Sequence, residues 1–237
     1  MKKFTPLLLL LASLSGCSTY QYLTIDSSQM QKNQQQQLSW ENDTLRITYS
    51  FNGDHGPVWA TFFNKTTQPL YVNWKKSAFI RNESSIALYS PQANFSGVAG
   101  SMGYRIGGIS TTGSTINGVV DLPEGMEFIP PSSGITKYLL SLSNTGPLLT
   151  HLPDSLPRRE MKQEHGFMIR YKEMNFDEGH SLVRFKSYFT FVVGLDNGRE
   201  FAETHSFYVS RIMQTGKAPQ YIVNYGSQSD QLYVRYK

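Results

Sequence analysis

Histidine and carboxylate side chains occur two residues apart at two places in the chain. Glu203 and His205 lie in a segment with strand-like alternation, and Glu178 and His180 repeat the spacing. Residues i and i+2 of a strand point to the same face, so each pair places an acid beside a base. Two such ligands can begin a zinc site, but a site needs three or four, and no motif supplies the rest. The pattern favours polar pairs on a solvent face. A hydrolase that joins His205, Glu203 and a further acid or serine is the alternative.

The sequence gives little indication of a nucleophilic serine or of a phosphate-binding loop. Ser110 lies in Gly108-Ile109-Ser110-Thr111-Thr112, which misses the Gly-x-Ser-x-Gly pattern by one position. Residues 96–118 contain 14 Gly, Ser or Thr among 23 residues, seven of them Gly, without a recognised phosphate-binding motif. This composition indicates a mobile loop or a long twisted hairpin. The sequence thus predicts no catalytic residue, no metal and no cofactor.

Aromatic side chains offer a further kind of site, because exposed rings can stack on sugars. Trp74 shares the phase of Leu70 and Val72, which predicts packing in the core, whereas Trp59 is out of phase with its apolar neighbours. Binding of a glycan or small ligand would need at least two exposed, coplanar rings beside a groove. The candidates are Trp40, Trp59, Tyr104 and Tyr138.

The single cysteine, Cys17, follows a segment typical of secretion. Lys2 and Lys3 precede an apolar run that is too short to span a bilayer, which takes about 20 apolar residues. Leu14-Ser15-Gly16-Cys17 resembles the lipobox of bacterial lipoproteins. That resemblance implies removal of residues 1–16, diacylglycerol on the Cys17 thiol and acylation of the new amine. Several acyl chains would hold the protein stably on a membrane. An ordinary signal peptide with an incidental cysteine is the alternative.

The residues after the cysteine and the charge of the chain bear on location and partners. In the lipoproteins that the lipobox resembles, an aspartate after the lipidated cysteine implies retention in the inner membrane, so the resemblance implies that Ser18 favours the outer membrane. The lack of acidic residues at 18–21 favours its periplasmic face. Without Lys2 and Lys3 the 22 basic residues become 20, against 18 acidic residues, so the net charge falls from +4 to +2. The sequence contains no cluster of Lys and Arg residues of the kind that binds a phosphate backbone, so we expect no nucleic-acid partner.

Most of the chain has the period of a β-strand. Leu45, Ile47 and Tyr49 alternate with polar residues, and Asp196-Asn197-Gly198 between two long apolar segments indicates a hairpin. About ten or more such segments, at spacings of roughly 8–12 residues, are typical of a sandwich of strands. The sequence therefore predicts an all-β fold, an antiparallel immunoglobulin-like β-sandwich with long loop insertions.

Four segments follow from these patterns. Residues 1–16 are the lipoprotein signal peptide, and the Gln-rich residues 17–41 are predicted to be a polar membrane tether. Residues 42–213 form the β-sandwich domain, and 214–237 a C-terminal extension or hairpin. Within the domain, residues 143–165 are an irregular stretch with three prolines, interpreted as a covering loop or a partner contact.

A wider resemblance supports the same picture. Residues 42–80, with the later segments 128–136 and 205–210, look like a group of uncharacterised bacteroidete lipoproteins. The resemblance implies a strand-rich lipoprotein and implies no activity. We therefore expect a non-catalytic, lipid-anchored envelope protein that serves as an interaction or structural module and binds another envelope protein. A module that binds a glycan or small ligand is the first alternative, and a hydrolase the second.

Overall fold

The computed structural model describes residues 18–89, 92–105, 108–121, 125–163, 166–194, 198–222 and 228–236, with 92–105 and 108–121 described by their backbone alone. These residues form strands and two short 3-10 helices, Leu142–Thr145 and Pro219–Tyr221, and contain no α-helix. The prediction of an all-β protein is therefore confirmed. In chain order the strands are β1 (Thr19–Asp26), β2 (Gln31–Lys32), β3 (Leu38–Glu41), β4 (Leu45–Ser50), β5 (Gly53–Asp54), β6 (Pro57–Asn64), β7 (Leu70–Arg81), β8 (Ser84–Ala87), β9 (Gln92–Arg105), β10 (Gly108–Asp121), β11 (Met126–Ile129), β12 (Gly134–Ser141), β13 (Arg159–Lys162), β14 (Met168–Asn175), β15 (Arg184–Val193), β16 (Arg199–Thr215) and β17 (Gln231–Tyr236).

The smaller of the two main sheets has five strands in the order β12-β6-β4-β3-β2, all antiparallel. Its central strand β4 shows how the sequence sets its faces. Leu45, Ile47 and Tyr49 are buried, and the residues between them are exposed or partly exposed. Because side chains alternate along a strand, this pattern leaves one face of the sheet apolar and the other in contact with solvent.

The larger sheet has ten strands, and its longest strand, β16, pairs with three others. The first part of this strand pairs with β15, and its second part, from Tyr208, pairs with β1, while β14 pairs with residues 211–215. Beyond β15 lie β7 and β11, and β17 pairs with β1 on the other side. One pair, β17 with the short β5, is parallel, so this sheet is mixed and not wholly antiparallel.

The inner faces of the two sheets form one apolar core. Phe62 of the smaller sheet lies with its ring centroid 4.9 Å from that of Phe189 of the larger sheet, with the rings perpendicular. Tyr49 and Phe207 approach to 4.9 Å across the same boundary. Full burial of a phenylalanine contributes about 1.5–3 kcal/mol, so these rings account for much of the attachment of one sheet to the other.

The prediction of a polar tether is wrong for residues 19–41. Strand β1 lies inside the ten-stranded sheet between β16 and β17, and its Tyr22, Leu23 and Ile25 are fully buried. Strands β2 and β3 belong to the five-stranded sheet. The many Gln residues of this segment suggest exposure to solvent, but one of them, Gln21, is buried. Its amide is hydrogen-bonded to the main chain of Thr150 and to the side chain of Gln214.

The predicted C-terminal boundary at residue 213 is also wrong. Strand β16 continues to Thr215, and β17 pairs with β1 through the whole register from Thr19↔Tyr236 to Thr24↔Gln231. Leu232 of β17 is fully buried in the common core. The last strand therefore belongs to the same sheet as the first and is no extension beyond the domain.

The two segments of unusual composition have different structures. Within residues 96–118, the hairpin alternative is confirmed at the level of the backbone, since β9 and β10 form a two-stranded antiparallel sheet with Ser110 paired to Gly103. The described part of 143–165 covers the core, because Leu148 and Leu152 are buried in it. The described helical turns lack the length and apolar character that crossing a membrane would take.

Candidate functional site

The outer face of the five-stranded sheet presents an aromatic pair to solvent. Trp59 of β6 and Tyr138 of β12 are cross-strand neighbours and are 43% and 50% exposed. Their ring centroids lie 5.4 Å apart, and the ring planes meet at 60°. The exposure of Trp59 agrees with its phase in the sequence, because its neighbours Val58 and Ala60 are buried on the opposite face.

Polar and charged groups surround this pair on the same face. The hydroxyls of Thr61 and Thr136 are hydrogen-bonded at 2.8 Å, and the Arg46 guanidinium lies over the Phe63 ring, 4.9 Å from its centroid. Arg46 has no carboxylate partner among the residues that the structure describes. We call this surface the outer aromatic face; its residues are Arg46, Trp59, Thr61, Phe63, Thr136 and Tyr138.

The other aromatic candidates do not join it. Trp74 packs against the core as expected, and its Nε1 donates a hydrogen bond to Glu127 at 3.0 Å. Trp40 is partly buried on the inner side, where its ring lies 4.8 Å from that of His205. The side chain of Tyr104 lies outside the described residues. Trp59 and Tyr138 are thus exposed together, but at 60° they do not form the coplanar platform proposed for glycans.

A buried chain of polar groups connects the two sheets. The Tyr49 hydroxyl of β4 is hydrogen-bonded to Ser187 Oγ of β15 at 2.7 Å and to His205 Nδ1 of β16 at 2.9 Å. All three residues are almost wholly buried. Burial lowers the pKa of His205 to about 4 and raises that of Tyr49 far above its usual range, so both groups are neutral near pH 7.

His205 therefore has a different setting from the one predicted. It shares a face with Glu203, as the spacing requires, but that face is the inner one, and the prediction of a solvent-facing pair is wrong. Its Nε2 has no hydrogen-bond partner among the described residues. Buried polar atoms usually have a hydrogen-bond partner, so the burial of this nitrogen without one costs stability.

Glu203 lies at the rim of the same region. One of its carboxylate oxygens accepts a hydrogen bond from Asn42 Nδ2 at 3.3 Å, and burial raises its pKa. Glu203 lines an open cavity of about 510 Å³, which also includes Thr66 and Arg199 but not His205. The cleft that a hydrolase would need, joining Glu203 to His205, is not formed by the described residues.

The remaining histidines are turn or surface residues where they are described. His180 lies in a turn and is hydrogen-bonded to the Asp177 carboxylate, which lowers the pKa of Asp177. His55 adopts a positive φ of 61° beside Asp54, and His151 is exposed. In the described ranges no three His, Cys, Asp or Glu residues are grouped to hold a metal ion. His165 and Cys17 lie outside these ranges.

Arg81 is a structural residue that the sequence did not single out. Its side chain is buried, and Nη1 donates to the carbonyls of Leu142 and Gly146 at 3.2 and 3.0 Å and to Thr145 Oγ1 at 2.9 Å. These bonds attach the start of the covering loop to β7. No local pattern around Arg81 predicts this role, because its partners are more than 60 residues away in the sequence.

No protein-family model matches the chain, and no curated protein or solved structure gives a significant match.

Proposed function

We propose that this chain is a lipid-anchored protein of the cell envelope that binds a partner protein through the outer aromatic face. The partner surface is acidic with an apolar centre. It would place a carboxylate near the unpaired Arg46 and apolar groups against Trp59 and Tyr138. The observation that carries the proposal is the joint exposure of this cross-strand aromatic pair on a regular sheet face.

The composition of the face supports a protein partner. Trp, Tyr and Arg are the residues that most often dominate binding energy in protein interfaces, and they cluster where neighbouring groups exclude water. Trp59, Tyr138 and Arg46 meet this description, and the paired hydroxyls of Thr61 and Thr136 leave few unsatisfied polar groups between them. The strands beneath are held by the core, so the face is ordered before binding.

The tilt between the rings argues for a protein in preference to a glycan. The C–H face of a sugar ring stacks best on aromatic planes that lie parallel to it, and the two planes here meet at 60°. Protein side chains can fill the angle between two tilted rings. Glycan binding is therefore the outcome against which the proposal is tested.

The anchor at Cys17 completes the proposal. Residue 18 leads directly into β1, so lipid on Cys17 would hold the folded domain close to the outer membrane, without an extended tether. We place the domain on the periplasmic face, because residues 18–21 lack the acidic residues associated with surface export. Partners would then be proteins at or near the inner surface of that membrane.

The proposal extends to the architecture. We infer that the two larger sheets form a β-sandwich of immunoglobulin-like type with long insertions. The common core of Phe62, Phe189 and their neighbours supports this inference, as does the antiparallel order of the smaller sheet. The ten strands of the larger sheet and its parallel β5–β17 pair are departures from the simplest form of that fold.

Capture from solubilised membranes tests the interaction. We expect the full chain to recover a stoichiometric protein that is lost from the Trp59→Ala/Tyr138→Ala variant and weakened by Arg46→Gln. The matched control is Tyr221→Ala, which removes an aromatic side chain that is 61% exposed elsewhere. Equal recovery by all variants would contradict the proposal. So would retention by a purified envelope polysaccharide that depends on Trp59 without any protein partner.

A further inference from the structure

A second cavity lies on the outer face of the ten-stranded sheet and contains charges of both signs. Its volume is about 670 Å³, within the range of about 300–1,000 Å³ usual for small-molecule sites. We call it the charged cavity, and its charged residues are Glu83, Glu178, Arg184 and Lys186. Ile80 and Ser206 also line it.

The sheet places the two cations side by side. Arg184 and Lys186 are two residues apart on β15, so they point to the same face about 7 Å apart. Lys186 is the cross-strand partner of Ile80 on one side and of Ser206 on the other. These pairings put a cation between an apolar residue and a hydroxyl on the outer face of the sheet.

A tight turn places one of the acids. Arg81 pairs with Ser84, so Asn82 and Glu83 form the two-residue loop between β7 and β8. Both have a positive φ, 49° and 65°, as a two-residue hairpin turn of type I′ requires. Asn accepts this conformation readily, but Glu is uncommon there. The turn thus holds a carboxylate at the rim of the cavity at a small cost in backbone energy.

The four charged side chains form no ion pairs with one another. Within the described parts of the chain, none of them takes part in an ion pair or a side-chain hydrogen bond. Elsewhere on the same sheet charges pair closely, as with Lys76 Nζ and Glu200 at 2.8 Å. Charges of both signs that form no ion pair and line one cavity are complementary to a ligand that carries both charges itself.

We propose that the charged cavity binds a small zwitterionic ligand with a free carboxylate and a free ammonium group, such as an amino acid or short peptide. The carboxylate meets Arg184 and Lys186, where a guanidinium can supply two parallel hydrogen bonds. The ammonium group meets Glu83 and Glu178. The site is independent of the outer aromatic face, which belongs to the other sheet.

Titration with three related probes tests this pairing of charges. The probes are triglycine, N-acetyl-triglycine, which lacks the ammonium group, and triglycine amide, which lacks the carboxylate. Binding is followed by amide chemical shifts of β15 and β16 in the folded chain. We expect saturable binding of triglycine and at least about tenfold weaker binding of each blocked probe, which corresponds to about 1.4 kcal/mol.

Substitutions assign each end of the ligand. Lys186→Gln should weaken triglycine binding and abolish the preference for triglycine over its amide, and Glu83→Gln should abolish the preference over the N-acetyl form. Lys217→Gln and Asp43→Asn are matched controls at exposed positions outside the cavity, and they should bind as the wild type does. The proposal is overturned if triglycine does not bind saturably. It is also overturned if a blocked probe binds equally well, or if the controls lose as much affinity as the cavity variants.

Discussion

The Tyr49 hydroxyl lies 2.9 Å from Nδ1 of His205, and the two residues belong to strands of different sheets. This bond, extended by Ser187, makes a buried polar connection between the two sheets. Because it is buried, its contribution to stability and its response to pH can both be measured.

Removal of the Tyr49 hydroxyl should destabilise the fold. Tyr49→Phe keeps the ring but leaves Ser187 Oγ and His205 Nδ1 without their partner, at a cost of about 1–3 kcal/mol for unsatisfied buried groups. Urea denaturation of residues 18–237 measures the change. Tyr138→Phe, which removes a hydroxyl from an exposed ring, should stay within about 0.5 kcal/mol of the wild type. Equal effects of the two substitutions would contradict the burial of the network.

Burial of His205 should make the fold less stable in mild acid. Its pKa is about 4 in the folded chain against an ordinary value of 6.5, so between these values only the unfolded chain binds the proton. The contribution is complete above pH 6.5 and is lost as the pH falls towards 4, by about 3 kcal/mol in all.

The measurement compares the free energy of unfolding of the wild type and His205→Gln across this range. Glu203, whose pKa is raised by burial, acts in the opposite direction, but it is present in both chains and cancels in the difference. If the difference in the free energy of unfolding between the two chains is the same at pH 7 and at pH 4, the lowered pKa of His205 is contradicted.

The N-terminal segment should behave as part of the core. Leu23→Ala is expected to cost about 2–5 kcal/mol, because Leu23 is fully buried in β1. Gln34→Ala, at an exposed position of the Gln-rich turn, should change stability little. Thermal and urea denaturation distinguish the two cases, since a flexible tether would tolerate both substitutions equally.

Lipidation should depend on Cys17. Cys17→Ser is expected to move the protein from the detergent-rich phase to the aqueous phase on extraction of cells and to remove the mass of the acyl chains. Ser13→Ala, within the apolar segment before the lipobox, should keep both properties. A Cys17→Ser protein that stays in the detergent phase with an unchanged mass addition would contradict the anchor.

The alternation of apolar and polar residues predicts many of the strands and their buried faces. The parts of the fold that it does not predict depend on contacts between residues far apart in the sequence. In β4 and β6 the inward and outward residues follow from period 2, and with them the exposure of Trp59. In β1 the same period is obscured by Gln21, which is buried because Thr150 and Gln214 satisfy its amide. Local sequence cannot show partners that lie 129 and 193 residues away.

The candidate sites divide in the same way. The spacing of Glu203 and His205 correctly predicts that they share one face, but the burial of that face depends on the pairing of β16 with β15 and on the packing of Trp40. The aromatic pair needed the register that sets Tyr138 opposite Trp59. The charged cavity brings together four separate segments, which have no common motif in the sequence.

Site-specific photocrosslinking tests the interaction most directly. A photoreactive phenylalanine derivative is placed at position 59 of the full chain in intact cells, and at position 221 as an exposed aromatic control. The account predicts one discrete protein adduct from position 59 that is absent from position 221. The absence of any protein adduct at position 59, or the same adducts from both positions, would contradict it.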